Sequence, residues 1–174
     1  MKISTSSDYH LLAVQDLSGS GCSNDKCVES CEQDWEKNGD HCYKWNTAKR
    51  NWTAAEDFCR KEGGHLASVH SNSTFNFVLE GMNRTGLKMA WLGANDLEVE
   101  GTWKWVDCSP WNVTFWAQGE PNNGVAAANE HCLHHVFSFP PLKILNHKWN
   151  DVQCSKKQGF LCSKSICSGG KYLI

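Results

Sequence analysis

Ten cysteines in a chain of 174 residues constrain this fold more than any other feature. An even count this dense allows two scaffolds: thiolate metal modules in a reducing compartment, or disulfides in an oxidising one. Spacing argues against zinc. Cys22, Cys27 and Cys31 lie five and four residues apart, and no C-x-x-C pair occurs anywhere. Four N-x-S/T sequons, at Asn51, Asn72, Asn83 and Asn112, favour a secreted glycoprotein. The N-terminus is not a signal peptide. Lys2 is followed by polar residues, and the apolar patch Leu11 to Val14 is too short for a hydrophobic region. We read the chain as extracellular and lacking its leader.

Residues 1–26 read as a flexible N-terminal tail, with Ser18-Gly19-Ser20-Gly21 as linker-like sequence. Residues 27–167 are expected to form one domain, long enough for a proper core, and 168–174 a short C-terminal tail. A net charge of −2 gives no reason to expect a nucleic-acid or anionic-membrane partner. No apolar run approaches the roughly 20 residues of a membrane span.

Inside the domain, Tyr43-Lys44-Trp45 reads as a short strand. Thr53-Ala54-Ala55-Glu56 has capping-box form and is expected to open a helix that Gly63-Gly64 ends. A second helix is expected from about Ser73 to Asn83, with Phe77 and Val78 inward. Ala90 to Gly93 reads as a buried strand. Thr102 to Val106 alternates on period two, which puts Trp103 and Trp105 on one side of a sheet. Residues 107–148 show little periodicity and read as one long loop. Strand-like sequence resumes at Trp149 to Cys154 and Gly159 to Cys162.

This order of pieces resembles the C-type lectin-like domain over about residues 31–163. The resemblance is carried by Phe58-Cys59-Arg60, Gly64 to Ser68, Trp91-Leu92-Gly93 and Gly101 to Trp105. It continues through Gly119-Glu120-Pro121-Asn122-Asn123, Glu130-His131-Cys132 and Trp149-Asn150-Asp151. It implies an α+β fold, two helices flanking short antiparallel sheets with a long calcium-binding loop, stapled by disulfides. The implied bridges are Cys59 with Cys162, Cys132 with Cys154, and Cys31 with Cys42 of the longer form. Closing such loops removes unfolded-state entropy worth on the order of 2–5 kcal/mol each. Cys22, Cys27, Cys108 and Cys167 are left over. They can pair in three ways or bridge two chains, with Cys27 to Cys167 one option.

Glu120, Asn122, Glu130, Asn150 and Asp151 lie in or beside the long loop. Carboxylates and amide carbonyls are the ligands a hard cation such as Ca²⁺ needs. A cis bond before Pro121 would turn its two neighbours to one side of the backbone. The competing reading, that Glu-Pro-Asn-Asn-Gly is only a polar turn, gives way to the downstream Trp-Asn-Asp and Glu130 at family spacing.

In the family, two vicinal sugar hydroxyls complete this ion's coordination, so Glu120, Asn122, Glu130 and Asn150 are also expected to bind sugar. Ionised carboxylates only accept hydrogen bonds, while an amide that gives its oxygen to the ion still has an NH₂ to donate. The Glu-Pro-Asn order implies mannose-type ligands: mannose, N-acetylglucosamine, glucose and fucose. A second calcium is implied by Asp96 and Glu100, with Asn123 and His131 where other members carry carboxylates. Otherwise Asp96 and Glu100 are ordinary turn acids.

Residues 133–148 exceed compact members of the family and are expected to be an insertion beside the site. The segment is either a solvated insertion or, through the apolar run Val136 to Pro141, a contact surface, and the histidines would be scattered surface residues. Catalysis is rejected, because no free thiol has an evident activating partner and no Gly-x-Ser-x-Gly, P-loop or His-Glu-x-x-His motif is present. The alternative function is a lectin-like fold that binds a protein or other non-sugar ligand through the same face. Single sites of this kind are weak, so a homo-oligomer, disulfide-linked or not, is expected to present several of them to glycans, microbial surfaces included.

Overall fold

Alternation along three strands determines the architecture of the computed structural model, which describes residues 27–124, 129–138 and 146–167. In β4 (Met89–Asn95), β6 (Cys132–Val136) and β8 (Gln158–Ser165), successive side chains enter opposite clusters. Leu92, Leu133 and Leu161 join one core with Val69, Phe75, Val78, Met82, Trp103, Trp105 and Trp149. Trp91, Cys132, Phe160 and Cys162 join the other with Trp35, Trp52, Ala55, Cys59 and Leu66. A sheet buried on both faces in this way has no solvated side along its middle strands.

The remaining strands are β1 (Glu36–Asn38), β2 (His41–Arg50), β3 (His65–Leu66), β5 (Lys104–Trp105) and β7 (Lys148–Val152). The order is β1-β2-β8-β4-β6-β7, with β3 on β8 and β5 on β4. Pairing is antiparallel except between β4 and β8.

Two helices cover the sheet. α1 (Trp52–Lys61) buries Trp52, Ala55, Glu56 and Cys59, an i, i+3, i+4, i+7 stripe. Its cap differs from the sequence reading: Asn51, not Thr53, is the N-cap, accepting the Ala54 N–H at 2.8 Å. Glu56 is therefore not the capping-box acid. It is buried, accepts the Leu66 N–H at 2.8 Å and pairs with His65. α2 (Asn72–Thr85) is capped by Ser71 and buries Phe75, Val78 and Met82. Gly81 lies inside it because a Cβ there would sit 2.0 Å from the Trp45 ring.

Disulfides join Cys31 to Cys42, Cys59 to Cys162 and Cys132 to Cys154, as the resemblance implied. Cys27 is bonded to Cys167, which ties the two ends of the domain within one chain. Cys108 is also disulfide-bonded. Cys22 and the two expected tails lie outside the described residues. Among the described residues, no helix is long and apolar enough to cross a membrane.

The single long loop does not survive as such. Residues 132–136 form β6, which is buried throughout between β4 and β7. His134 and His135 are thus 4% and 0% exposed, not surface residues of an insertion. Val136 is buried too, and Phe137 is half-buried and stacked on His147 at 5.0 Å. Phe139, Pro140 and Pro141 lie outside the described residues.

Candidate functional site

The loop that carries Glu120 and Asn122 is docked onto β7 by its own backbone. Trp149 N–H donates to Phe115 O and Ala117 N–H to Trp149 O, both at 2.9 Å. The chain then turns, with Glu120 N–H on Ala117 O at 3.1 Å, and passes through a cis Glu120–Pro121 peptide. Glu120 and Asn122 consequently lie beside the residues that follow Trp149.

Alternation in β7 separates the next two ligand candidates. Asn150 shares a face with Val152 and lines a depression of about 520 Å³ with Glu120, Asn122, His134 and Val136; Lys156 and Lys157 also line it. Asp151 points the other way and is 1% exposed. Its carboxylate accepts the N–H groups of Asn122, at 3.1 and 3.2 Å, and Asn123, at 2.6 Å. Glu130 packs on Gly124, where a Cβ would lie 3.0 Å from the Glu130 carboxyl carbon. Gly124 also donates to Asn122 Oδ1 at 2.7 Å.

Three carboxylates thus converge. Burial first, then the neighbouring Asp151 carboxylate and Glu130, push the Glu120 carboxyl up to about 7. Burial and Asp151 raise Glu130 as well, with Lys156 opposing. Glu120 Oε2 is buried and has no hydrogen-bond partner among the described residues. A buried acceptor left unmatched among like charges is costly. These residues fit a hard divalent cation, which would satisfy that oxygen and offset the repulsion. Glu120, Asn122, Glu130, Asn150 and Asp151 are the residues whose oxygens would be offered to it.

The second group is closed on itself. His131 Nδ1 lies 3.0 Å from Asp96 Oδ1 and 3.4 Å from Glu100 Oε2. Asn123 Nδ2 donates to Glu100 at 2.7 Å, and Asn123 Oδ1 accepts the Glu130 N–H at 2.9 Å. Asp96 Oδ2 accepts the Gly101 N–H at 2.8 Å. Asp96, Glu100 and His131 are close enough to share an ion. His131 brings an imidazole where a hard cation favours oxygen, and Asn123 turns its NH₂ rather than its oxygen toward Glu100. This set fits a calcium ion less well than the first.

The structure adds His134 and Gln158 to the site. His134 Nδ1 lies 2.9 Å from Gln158 Oε1, and His134 Nε2 lies 3.2 Å from Asn150 Nδ2. Burial pushes His134 down to about 4 and its neighbour His135 to about 3. Sequence reading missed both histidines, because polar residues at 134 and 135 hide a strand. The available signal was the flanking Cys132-Leu133 and Val136, which bound a segment of strand length.

The Lectin C-type domain family matches residues 48–164. This chain belongs to the C-type lectin family. A galactose-specific lectin, nattectin, from Thalassophryne nattereri is 33% identical over 147 residues, covering 81% of this chain and 84% of that protein. A mannose-binding C-type lectin isoform from Oxyuranus scutellatus is 37% identical over 160 residues, covering 88% and 96%. The C-type carbohydrate-recognition domain of cow CD23, solved in the presence of a GlcNAc2Man3 oligosaccharide, superposes with a TM-score of 0.69. It is 27% identical, and the match covers 80% of this chain and 99% of that one. C-type lectins are binding domains and not enzymes, as the absence of catalytic motifs in this sequence led us to expect.

Proposed function

We propose that this C-type lectin binds glycans through a calcium ion held by Glu120, Asn122, Glu130, Asn150 and Asp151, and that it prefers mannose-type sugars. The observation that carries this reading is the buried Glu120 Oε2, without a hydrogen-bond partner among the described residues, beside the carboxylates of Asp151 and Glu130. Calcium, when bound, supplies open coordination positions for two vicinal hydroxyl oxygens.

The chain's own groups would select which hydroxyls fit. Glu120, once ionised, accepts from one hydroxyl. The NH₂ of Asn122, which takes no acceptor among the described residues, donates to the other. This acceptor-then-donor order along Glu120-Pro121-Asn122 favours equatorial 3- and 4-hydroxyls over the galactose arrangement. Relatives of comparable identity include a galactose-specific and a mannose-binding protein. Membership alone therefore does not choose the sugar, and Glu120 and Asn122 support mannose.

The disulfides among the described residues, Cys27–Cys167 included, support an extracellular location. Asn72, Asn83 and Asn112 are exposed and available for glycosylation, whereas the Asn51 side chain caps α1. The deciding experiment is a glycan array with and without Ca²⁺, paired with chromatography on mannan resin. Retention in millimolar Ca²⁺ and release by EDTA are expected. Retention that EDTA leaves unchanged would rule out the calcium-bridged mechanism.

A further inference from the structure

The turn from β7 to β8 ends in two consecutive lysines, Lys156 and Lys157. Its place is set twice. The Cys132–Cys154 disulfide ties it to β6, and Lys156 N–H donates to Gln153 O at 3.0 Å. Both lysines line the depression of about 520 Å³ that Glu120, Asn122 and Asn150 also line. Met89, Val136 and Val152 add apolar surface to it.

Neither ammonium is spent within the protein. Lys44, Lys104 and Lys164 bond carboxylates at 2.7, 2.6 and 2.7 Å. Lys156 and Lys157 form no ion pair and no side-chain hydrogen bond among the described residues. Lys156 acts on Glu130 through space, without pairing with it. One exposed lysine without a partner is ordinary. Two side by side, on the wall that also carries the proposed sugar groups, are unused cations at a binding site.

Calcium changes the sign of the local charge. Ionised Glu120, Glu130 and Asp151 outweigh the two lysines by one negative charge, which repels an anion. A bound Ca²⁺ turns that into an excess of one positive charge. The calcium-loaded depression therefore attracts an anion that the calcium-free one turns away.

We propose that Lys156 and Lys157 form a subsite for an anionic ester, sulfate or phosphate, carried by the same saccharide that calcium holds, so that the preferred ligand is an acidic mannose-type glycan. This rests on the calcium reading above and narrows its ligand class. An ammonium offers such an oxyanion three N–H donors and a full charge. With the 3- and 4-hydroxyls of mannose on the ion, C2 and C6 are the flanking positions at which the ester would sit.

The test uses the full chain and direct binding, read by ligand-observed NMR titration in millimolar Ca²⁺. The probes are methyl α-mannoside, its 2-sulfate, its 6-sulfate and its 6-phosphate. At least one ester should bind about five- to thirtyfold more tightly than the neutral glycoside, the range that two exposed ion pairs allow. Comparing 6-sulfate with 6-phosphate shows which oxyanion the lysines take. The preference should shrink in 1 M NaCl, where the screening length is about 3 Å, and no ester should bind in EDTA.

Exchanging both lysines, as Lys156→Gln with Lys157→Gln, should bring the affinity ratio of ester to neutral glycoside down to about one. Lys156→Arg with Lys157→Arg keeps both charges and should keep the preference. Esters that bind no better than the neutral glycoside in wild type overturn the proposal, as does a preference that survives the loss of both lysines. An equal loss of ester and neutral glycoside in the glutamine variant would mark general damage to the depression and also overturn it. If the neutral glycoside does not bind wild type in Ca²⁺, the mannose reading fails. An ester that still binds then, and is lost with the lysines, keeps the anionic subsite; if no ester binds either, both readings fall.

Discussion

The carboxylate of Asp151 accepts the backbone N–H of Asn123 at 2.6 Å, across 28 residues of sequence. One buried acid therefore holds the tip of the loop and also supplies charge to the proposed ion. Two substitutions separate these roles. Asp151→Asn keeps an acceptor oxygen for the loop and removes a charge that repels Glu120. In EDTA it should unfold at the same urea concentration as wild type or higher, yet lose the stabilisation that Ca²⁺ gives wild type. Asp151→Ala removes acceptor and charge together and should cost about 1–3 kcal/mol for each amide left unpaired. Urea titrations with and without Ca²⁺ check both outcomes.

Glu120 and Asn122 flank the cis peptide and line the same depression as Asn150. Exchanging them as Glu120→Gln with Asn122→Asp inverts the donor and acceptor offered to the sugar and leaves an oxygen at each position. The double variant should still bind Ca²⁺ but elute from resin with galactose in preference to mannose. Elution by mannose alone would mean that this pair does not set the selectivity. The measurement is competitive elution of immobilised-glycan columns by each monosaccharide.

Most of the frame was readable because its signals are local or covalent. Cys59, Cys162, Cys132 and Cys154 appear in their expected pairs. Ala90 to Gly93 is a buried strand, as its apolar run suggested. The failures came where long-range partners decide. Thr53 has capping-box spacing, but Asn51 lies where the chain leaves β2 and caps the helix two residues earlier. Glu56, freed from that role, is claimed by His65 and Leu66 N–H from β3. His134 and His135 look like loop residues because nothing nearby in sequence satisfies them. Gln158 and Asn150 accommodate one ring, and the Phe75 ring at 5.0 Å packs against the other. The five proposed ligands were readable as a motif. That His134 lies against Asn150 was not, since it depends on the β6–β7 register.

The raised Glu120 carboxyl gives a pH signature of defined sign. In calcium-free protein it holds its proton up to about 7, whereas in the unfolded chain it ionises near 4.5. Its contribution to stability is fully present below 4.5 and is lost as pH rises through 7. Wild type in EDTA should therefore lose stability relative to Glu120→Gln between pH 5 and 8. Calcium takes the ionised form, so binding should release a proton at pH 6 and much less at pH 8. Calorimetry of Ca²⁺ binding in buffers of different ionisation enthalpy measures that release directly.

His135 supplies the opposite slope and can be removed cleanly. Its ring is 0% exposed, and neither nitrogen has a hydrogen-bond partner among the described residues. Burial, first of all, drives it down to about 3, against 6.5 when exposed. Above 6.5 neither state binds a proton there. As pH falls from 6.5 toward 3, the unfolded chain takes up a proton that the folded chain refuses, and stability is lost. His135→Leu replaces an unsatisfied polar ring by an apolar side chain of similar size. It should be more stable than wild type by about 1–3 kcal/mol at pH 7, and the gain should grow toward pH 4.5. Working at saturating Ca²⁺ at the upper end, and in a Glu120→Gln background at the lower, keeps the Glu120 titration out of the comparison. A variant less stable than wild type at pH 7 would show that the ring nitrogens are satisfied in solution, for which an ordered water is the simplest partner.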